Sequence, residues 1–292
     1  GFWTTFFASL GYPVVSSGVY KDSVKRGKLI AGAEFCAPMA AFHGHSRFLS
    51  SRCDVLFIPI YLEDIHSDSF RSGPDRKTCY YTQFAPSLVK SLEEAGGKPC
   101  LAPVVDRRKG VGRMLRELHR FLKEQFDPTV GRDAIEAAYE DARSAKAYAA
   151  QELKRIFRER GAPEIGLDVV LLGRPYTVLD DSMSKGIPGI LGTLGMRAYY
   201  QDMLPENQTE DSTIAELLDV FHWQYASRIL GYAEYCAATP GIYPVLLTSF
   251  KCSPDSFMME YFGAMMDRYG KPYLILQLDE HESNVGYETR IE

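Results

Sequence analysis

Tyr243-Pro-Val-Leu-Leu-Thr-Ser-Phe250 runs into Lys251-Cys252-Ser253-Pro254-Asp255-Ser256-Phe257. An apolar segment follows, and then Gly270-Lys271-Pro272-Tyr273-Leu274-Ile275-Leu276-Gln277-Leu278. A short apolar run bounded by turn residues reads as a buried strand. Pro254 with Asp255 and Ser256 behind it reads as a helix start, and Gly270-Lys271-Pro272 as a turn into a second strand. Cys252 is thus expected at the carboxyl end of a strand and just ahead of a helix. Free N–H groups and the helix dipole there lower a thiol's pKa and favour an anionic ligand. In open α/β sheets this is also the edge that binds ligands. A buried structural cysteine is the alternative reading of the same residue.

Working outward, Gly97-Lys98-Pro99-Cys100-Leu101 repeats the turn of Gly270-Lys271-Pro272-Tyr273-Leu274, and Cys79 precedes Gly97 by the same 18 residues that separate Cys252 from Gly270. Leu10-Gly11 and Leu194-Gly195 each close a helix before a strand. The chain is therefore expected to repeat one strand–Cys–helix–strand unit. The fold class that follows is α/β, with two Rossmann-like parallel-sheet domains at 1–106 and 164–292 and a helical connector at 107–163. In the first domain, strands are expected at Tyr12–Ser17, Asp54–Ile60 and Cys100–Val105. In the second they are expected at Leu167–Leu172 and Met196–Tyr200, before a helix over Asp211–Ala237. In the connector, Leu115, Leu118, Phe121 and Leu122 form one apolar stripe and Ile135, Ala138, Tyr139 and Ala142 another, so two amphipathic helices broken at Asp127-Pro128 are predicted. The basic run from Arg107 to Lys123 is either a docking face or a solvated helix side.

Cys36, Cys79 and Cys252 share one situation, a strand or loop before and a helix after. Cys53 and Cys100 immediately precede strands, which puts them on the opposite sheet edge, roughly 15–20 Å away. Cys236 reads as core. Three thiolates without near neighbours in sequence rule out ribbon and ferredoxin spacings. They remain compatible with a [4Fe–4S] cube in the interdomain cleft with one iron lacking a protein thiolate. The cleft turn Ser253–Asp255 is expected to line that cofactor site. His43 and His45 either serve the site, by hydrogen bonding or proton relay, or simply pack at a helix start. His281, beside Asp279 and Glu280, either lines the cleft or holds a turn. Arg174 and Arg290 are either anion contacts or members of ion pairs.

The chain has 292 residues, a net charge of -5, 46% hydrophobic and 24% charged residues. That is the composition of an ordinary globular protein, and it gives no basic face for nucleic acid. No apolar run reaches the length of a membrane span. The opening Gly1-Phe-Trp-Thr-Thr-Phe-Phe7 is too short and lacks the basic flank of a signal peptide, and it does not begin with Met, so upstream residues are expected. Six cysteines without secretory signals point to reduced thiols or metal ligands, and to the cytoplasm.

Several of these stretches resemble the 2-hydroxyacyl-CoA dehydratase / double-cubane cluster protein superfamily, in the branch related to acyl-CoA dehydratase activases. The similarity lies in Glu34-Phe35-Cys36-Ala37-Pro38 with His43-Gly44-His45, Cys79-Tyr-Tyr-Thr-Gln83, Gly173-Arg174-Pro175-Tyr176, Cys252-Ser-Pro-Asp-Ser-Phe257, Gln277-Leu-Asp-Glu-His281 and Thr289-Arg-Ile-Glu292. Ser253 stands where the family usually has Gly, and the family's Lys after its first Cys is absent. The resemblance implies Cys36, Cys79 and Cys252 as ligands of one [4Fe–4S] cluster, a double cubane being less favoured. It implies electrons from an ATP-hydrolysing activase on another chain or domain, and a homodimer. It further implies reduction or dehydration of a small-molecule substrate at the open iron, with His43 and His281 as catalytic candidates. Two alternatives stand beside that expectation: a non-catalytic iron–sulfur accessory domain of an activase assembly, and a cluster-free α/β small-molecule binder.

Overall fold

The computed structural model describes residues 1–33, 35–64, 76–107, 110–161, 166–205, 214, 217, 221–278 and 285–292. The chain begins with helices α1 (Phe2–Ser9), α2 (Ser23–Ala31) and α3 (Ala37–Ser50). Gly27 of α2 and Gly44 of α3 bring two backbones together. A Cβ at Gly27 would lie 1.7 Å from the Ala40 carbonyl oxygen, and one at Gly44 1.9 Å from that of Ser23.

The expected strand at Tyr12–Ser17 does not form. The Tyr12 N–H turns back to the Phe7 carbonyl at 3.0 Å, and its phenol donates to the Asp127 carboxylate. Both partners hold the segment against helices rather than along a sheet.

The run Asp54–Ile60 forms two strand pieces, β1 (Leu56–Phe57) and β2 (Ile60–Tyr61), and a short antiparallel pair follows, β3 (Glu63–Asp64) with β4 (Arg76–Lys77). Helix α4 (Tyr80–Ala95) leads to β5 (Cys100–Leu101) and β6 (Val104–Val105), which pair in parallel with β1 and β2. The N–H groups of Leu56, Ile58 and Ile60 donate to the carbonyls of Pro99, Leu101 and Pro103 at 2.9–3.0 Å. The ladder is continuous apart from the prolines, which have no N–H to give.

Helices α5 (Val111–Gln125) and α6 (Arg132–Arg158) flank Asp127-Pro128. Leu115, Leu118, Leu122, Ile135, Ala138 and Ala142 share one core with Phe6, Phe7 and Leu101. The 27 residues of α6 reach about 40 Å, and Phe157 near its far end belongs to the second core.

That second core surrounds a four-stranded, all-parallel sheet of β7 (Asp168–Gly173), β8 (Arg197–Tyr200), β9 (Ile242–Ser249) and β10 (Leu274–Leu278), ordered β10-β9-β7-β8. Helices cover both faces. Val169, Leu171, Val245 and Leu247 face α7 (Pro175–Val178), α8 (Ile187–Thr193) and the final helix, α11 (Val285–Ile291). Val170, Leu172 and Leu246 face α9 (Gln224–Ala238) and α10 (Ser253–Tyr269). The chain is thus mixed α/β with parallel sheets. Of the expected helix over Asp211–Ala237, Leu217 is helical and a helix runs from Gln224, while most of the residues between Asp211 and Phe221 lie outside the described ones. The His222 carbonyl accepts the Lys77 N–H at 2.7 Å and Trp223 bridges Lys77 in parallel fashion, so His222 and Trp223 are not part of a helix. No helix among the described residues is long and apolar enough to cross a membrane.

The two Gly-Lys-Pro turns match atom for atom in their main contacts. Gly97 and Gly270 both have positive φ, 82° and 59°. The N–H groups of Lys98 and Lys271 donate to the carbonyls five residues back, Glu93 and Met266, at 2.9 Å each. Their ammonium groups reach the carbonyls of Cys53 and Thr239, at 2.5 and 2.6 Å. Each of those carbonyls lies three residues before the neighbouring strand, β1 or β9.

Candidate ligand-binding site

Chain leaving β7 passes to α7 and α8 on one face of the sheet, while chain leaving the adjacent β9 passes to α10 on the other. Where neighbouring strands send their connections to opposite faces, a crevice opens at their carboxyl ends. Arg174 follows β7 and Cys252 follows β9, so both stand at this crevice. A tight turn carries the chain from Ser249 to Cys252: the Cys252 N–H donates to the Ser249 carbonyl at 3.1 Å, and Lys251 takes a positive φ of 66°. A non-glycine residue held there costs roughly 1–3 kcal/mol.

Arg174 is 2% exposed. Its Nε donates to Asp255 Oδ1 at 2.7 Å and its Nη1 to the Tyr176 phenol oxygen at 2.9 Å. The other carboxylate oxygen of Asp255 accepts the Ser249 N–H at 3.5 Å. Arg174 Nη2 is buried and has no hydrogen-bond partner among the described residues. Burial opposes the guanidinium charge, but Tyr176, Asp255 and Cys252 outweigh it and hold the pKa well above the ordinary value. Burial raises the Tyr176 phenol, with Arg174 pulling it back down.

The three expected thiols occupy one kind of position. Cys36, Cys79 and Cys252 are the N-cap residues of α3, α4 and α10. The Cys79 sulfur accepts the Thr82 N–H at 3.5 Å. At Cys36 and Cys252 the N–H three residues on, of Met39 and Asp255, favours the thiolate. Burial nevertheless dominates. It raises the Cys36 thiol, with Cys79 and Asp255 adding and Arg174 opposing. It pushes the Cys252 thiol up to about 12, with Arg174 again opposing. The lowered pKa expected of Cys252 is therefore reversed, and the Cys36 thiol is raised as well, because desolvation exceeds the pull of a helix end. Cys53 and Cys100 lie at the other end of the N-terminal ladder, where Cys53 adds to the rise of the Cys100 thiol. Cys100 is pushed to about 11, mainly by burial.

Cys36 and Cys79 open onto a cavity of about 860 Å³ between α3, β1–β2, α4 and the β7–α7 turn. Its walls are mostly apolar, including Met39, Phe42, Ile58, Ala85 and Met183, and Tyr176 closes it on the side of Arg174. His45 and Asp180 add polar edges. Burial lowers the His45 pKa, with Asp180 opposing, so its imidazole is neutral at pH 7. His43 does not line this cavity; it is buried, stacked on Phe35 at 5.9 Å between ring centres, and its pKa is also lowered by burial. Ser253 is the first residue of α10, and Asp255 is committed to Arg174. Arg290 donates to the Ile275 carbonyl at 2.9 Å and holds the sheet edge. His281, with Asp279 and Glu280, and Glu34 lie outside the described residues. The signal that reading by motif passed over was the coupling of Arg174 to Asp255 across 81 positions.

A family model described as the CoA enzyme activase uncharacterised domain (DUF2229) matches residues 1–204. No curated protein matches the chain. The expected iron–sulfur dehydratase or reductase component, with its oxidoreductase and double-cubane chemistry, is corrected by these findings. The match is to an activase domain, and among the described residues no group of three His, Cys, Asp or Glu side chains is arranged to hold a metal ion. Cys36, Cys79 and Cys252 share a neighbourhood but do not form such a group.

Proposed function

Since the chain belongs to the CoA enzyme activase family that carries the DUF2229 domain, we propose that it is the ligand-recognising module of an activase assembly. An activase domain implies a partner enzyme. In this reading ATP is bound and hydrolysed by polypeptide outside this sequence, and the module reports to it whether the client's type of ligand is in place. The ligand class is an acyl thioester. The observation that carries the reading is the cavity, whose mostly apolar walls suit an acyl chain and onto which two helix N-termini open at Cys36 and Cys79. N–H groups at such ends attract a carbonyl oxygen or an anion. Met39, Phe42 and Ile58 would exclude water from the chain, while neutral His45 accepts or donates one hydrogen bond at the rim.

Calorimetric titration with CoA thioesters of increasing acyl length tests this. Each methylene taken from water contributes about 0.8 kcal/mol, so affinity is expected to rise about fourfold per carbon until the cavity is full. Ala85→Trp, which fills the cavity, should abolish the trend. Equal affinity for free CoA and for every thioester would refute the reading.

A further inference from the structure

The stretch from Pro13 to Val19 belongs to no helix or strand, and its backbone makes no hydrogen bond to any described residue. It is fixed at its two ends. The Tyr12 N–H donates to the Phe7 carbonyl at 3.0 Å, and Tyr20 lies on Phe48 at 4.5 Å between ring centres and meets His45 edge-on at 5.9 Å. Between these ends the strap carries Val14, Val15 and Val19, all exposed. Val19 is 60% exposed, yet with Ser17 and Gly18 it lines the same cavity onto which Cys36 and Cys79 open. Apolar surface left in water at a cavity edge is surface whose burial would still be favourable. Its distance from Cys36 follows from α3, which runs along the cavity and lines it with Met39, Phe42, Ser46 and Leu49. At 1.5 Å per residue, His45 and Phe48 stand about 14–18 Å along the helix axis from Cys36. The strap therefore meets the cavity at the end remote from that helix N-terminus.

We propose that the cavity takes a long acyl chain, of about 12–14 carbons, and that Val19 and the strap around it form the far wall against which the end of that chain packs. The inference rests on the acyl-thioester reading and sets the chain length that this reading leaves open. A thioester carbonyl held at the Cys36 helix N-terminus directs the chain along α3, over Met39 and Phe42. A staggered chain advances about 1.2 Å per bond, so a chain of about 12–14 carbons is the first to arrive beside Val19. Shorter chains end between Cys36 and the strap and leave Val19 in water. Because the strap has no backbone hydrogen bond to break, it settles on a chain end at little cost, and burial of Val19 then favours the longer ligand.

The test is calorimetric titration of the purified wild-type and Val19→Ser chains with free CoA, hexanoyl-CoA, dodecanoyl-CoA and tetradecanoyl-CoA. Val19 is exposed and lies outside every helix and strand, so the substitution is compatible with the fold, and binding of hexanoyl-CoA serves as its control. Wild-type affinity should go on rising beyond hexanoyl-CoA. Val19→Ser should bind hexanoyl-CoA as the wild type does and tetradecanoyl-CoA about tenfold more weakly. Hydrogen exchange of the amides of residues 14–20 should slow with tetradecanoyl-CoA and not with hexanoyl-CoA. A wild-type trend that ends at hexanoyl-CoA, or a Val19→Ser chain that loses affinity for all three thioesters equally or for none, overturns the inference while the acyl-thioester reading stands. Equal wild-type affinity for free CoA and all three thioesters refutes that reading and the inference with it.

Discussion

Gly44→Ala sets two physical effects against each other with opposite signs. Helix propensity alone predicts a gain, since alanine is better than glycine in a helix interior by about 1 kcal/mol. The α2–α3 contact predicts a loss. The new Cβ would lie 1.9 Å from the Ser23 carbonyl oxygen, 2.7 Å from its carbon and 2.9 Å from its Cα, all backbone atoms that no rotamer change can move aside. Restoring ordinary contact requires α2 and α3 to separate by roughly 1.5 Å, which strips apposed surface along both helices. Overpacking of this kind costs about 1–3 kcal/mol; with backbone atoms on both sides the upper end applies, so the net expectation after the propensity gain is a destabilisation of about 2 kcal/mol. Urea unfolding of the wild-type and substituted chains measures it directly. Because α3 carries Cys36 at its N-cap, the alkylation rate of Cys36 should rise as well. A Gly44→Ala chain that is as stable as wild type, or more so, would show that the two backbones are not in contact and refute the reasoning.

Breaking the buried Arg174–Asp255 pair on one side, by Arg174→Met, should cost about 3–5 kcal/mol. For 292 residues this lowers the melting temperature by roughly 5–8 °C. Arg174→Met/Asp255→Leu should cost clearly less than the two single changes added together, and strict additivity in the denaturation cycle would mean the pair is screened by solvent. The thiols of Cys236 and Cys252 are both pushed by burial from the ordinary 9.0 to about 12. Between those values the unfolded chain releases protons that the folded chain keeps, so stability is at its full value below pH 9 and falls above it. The slope is about 1.4 kcal/mol per pH unit for each thiol. Cys236→Ala should remove one thiol's share of that slope, and an unchanged pH profile would count against its burial.

Features that depend on a few consecutive residues were legible from sequence. Pro254 behind Cys252 does start a helix, and the two Gly-Lys-Pro turns do make the same local contacts, because turn chemistry is settled within six or seven residues. The run Asp54–Ile60 was legible as a strand but not as an interrupted one, although Pro59 is visible within it. Features set by distant partners were not legible. Tyr12 is drawn from strand geometry by Asp127, 115 positions on. Arg174 read equally well as an anion contact or as an ion-pair member until Asp255 was seen beside it. In His43-Gly44-His45 attention falls on the imidazoles, yet it is the glycine whose missing side chain lets two helices touch. The thiol pKa values turned on burial, a tertiary property that outweighed the helix end that sequence could place.

The paired lysines give the molecule two poles of different chemical kind. Lys98 and Lys271 each strap the end of a strand–helix–strand unit to the chain entering it, so each unit is closed like a buckled belt at the pole away from Cys79 and Cys252. Neutralising the ammonium groups by acetylation would unbuckle both units while leaving the sulfur pole chemically untouched. An amine reagent would therefore act on fold stability without modifying Cys79 or Cys252.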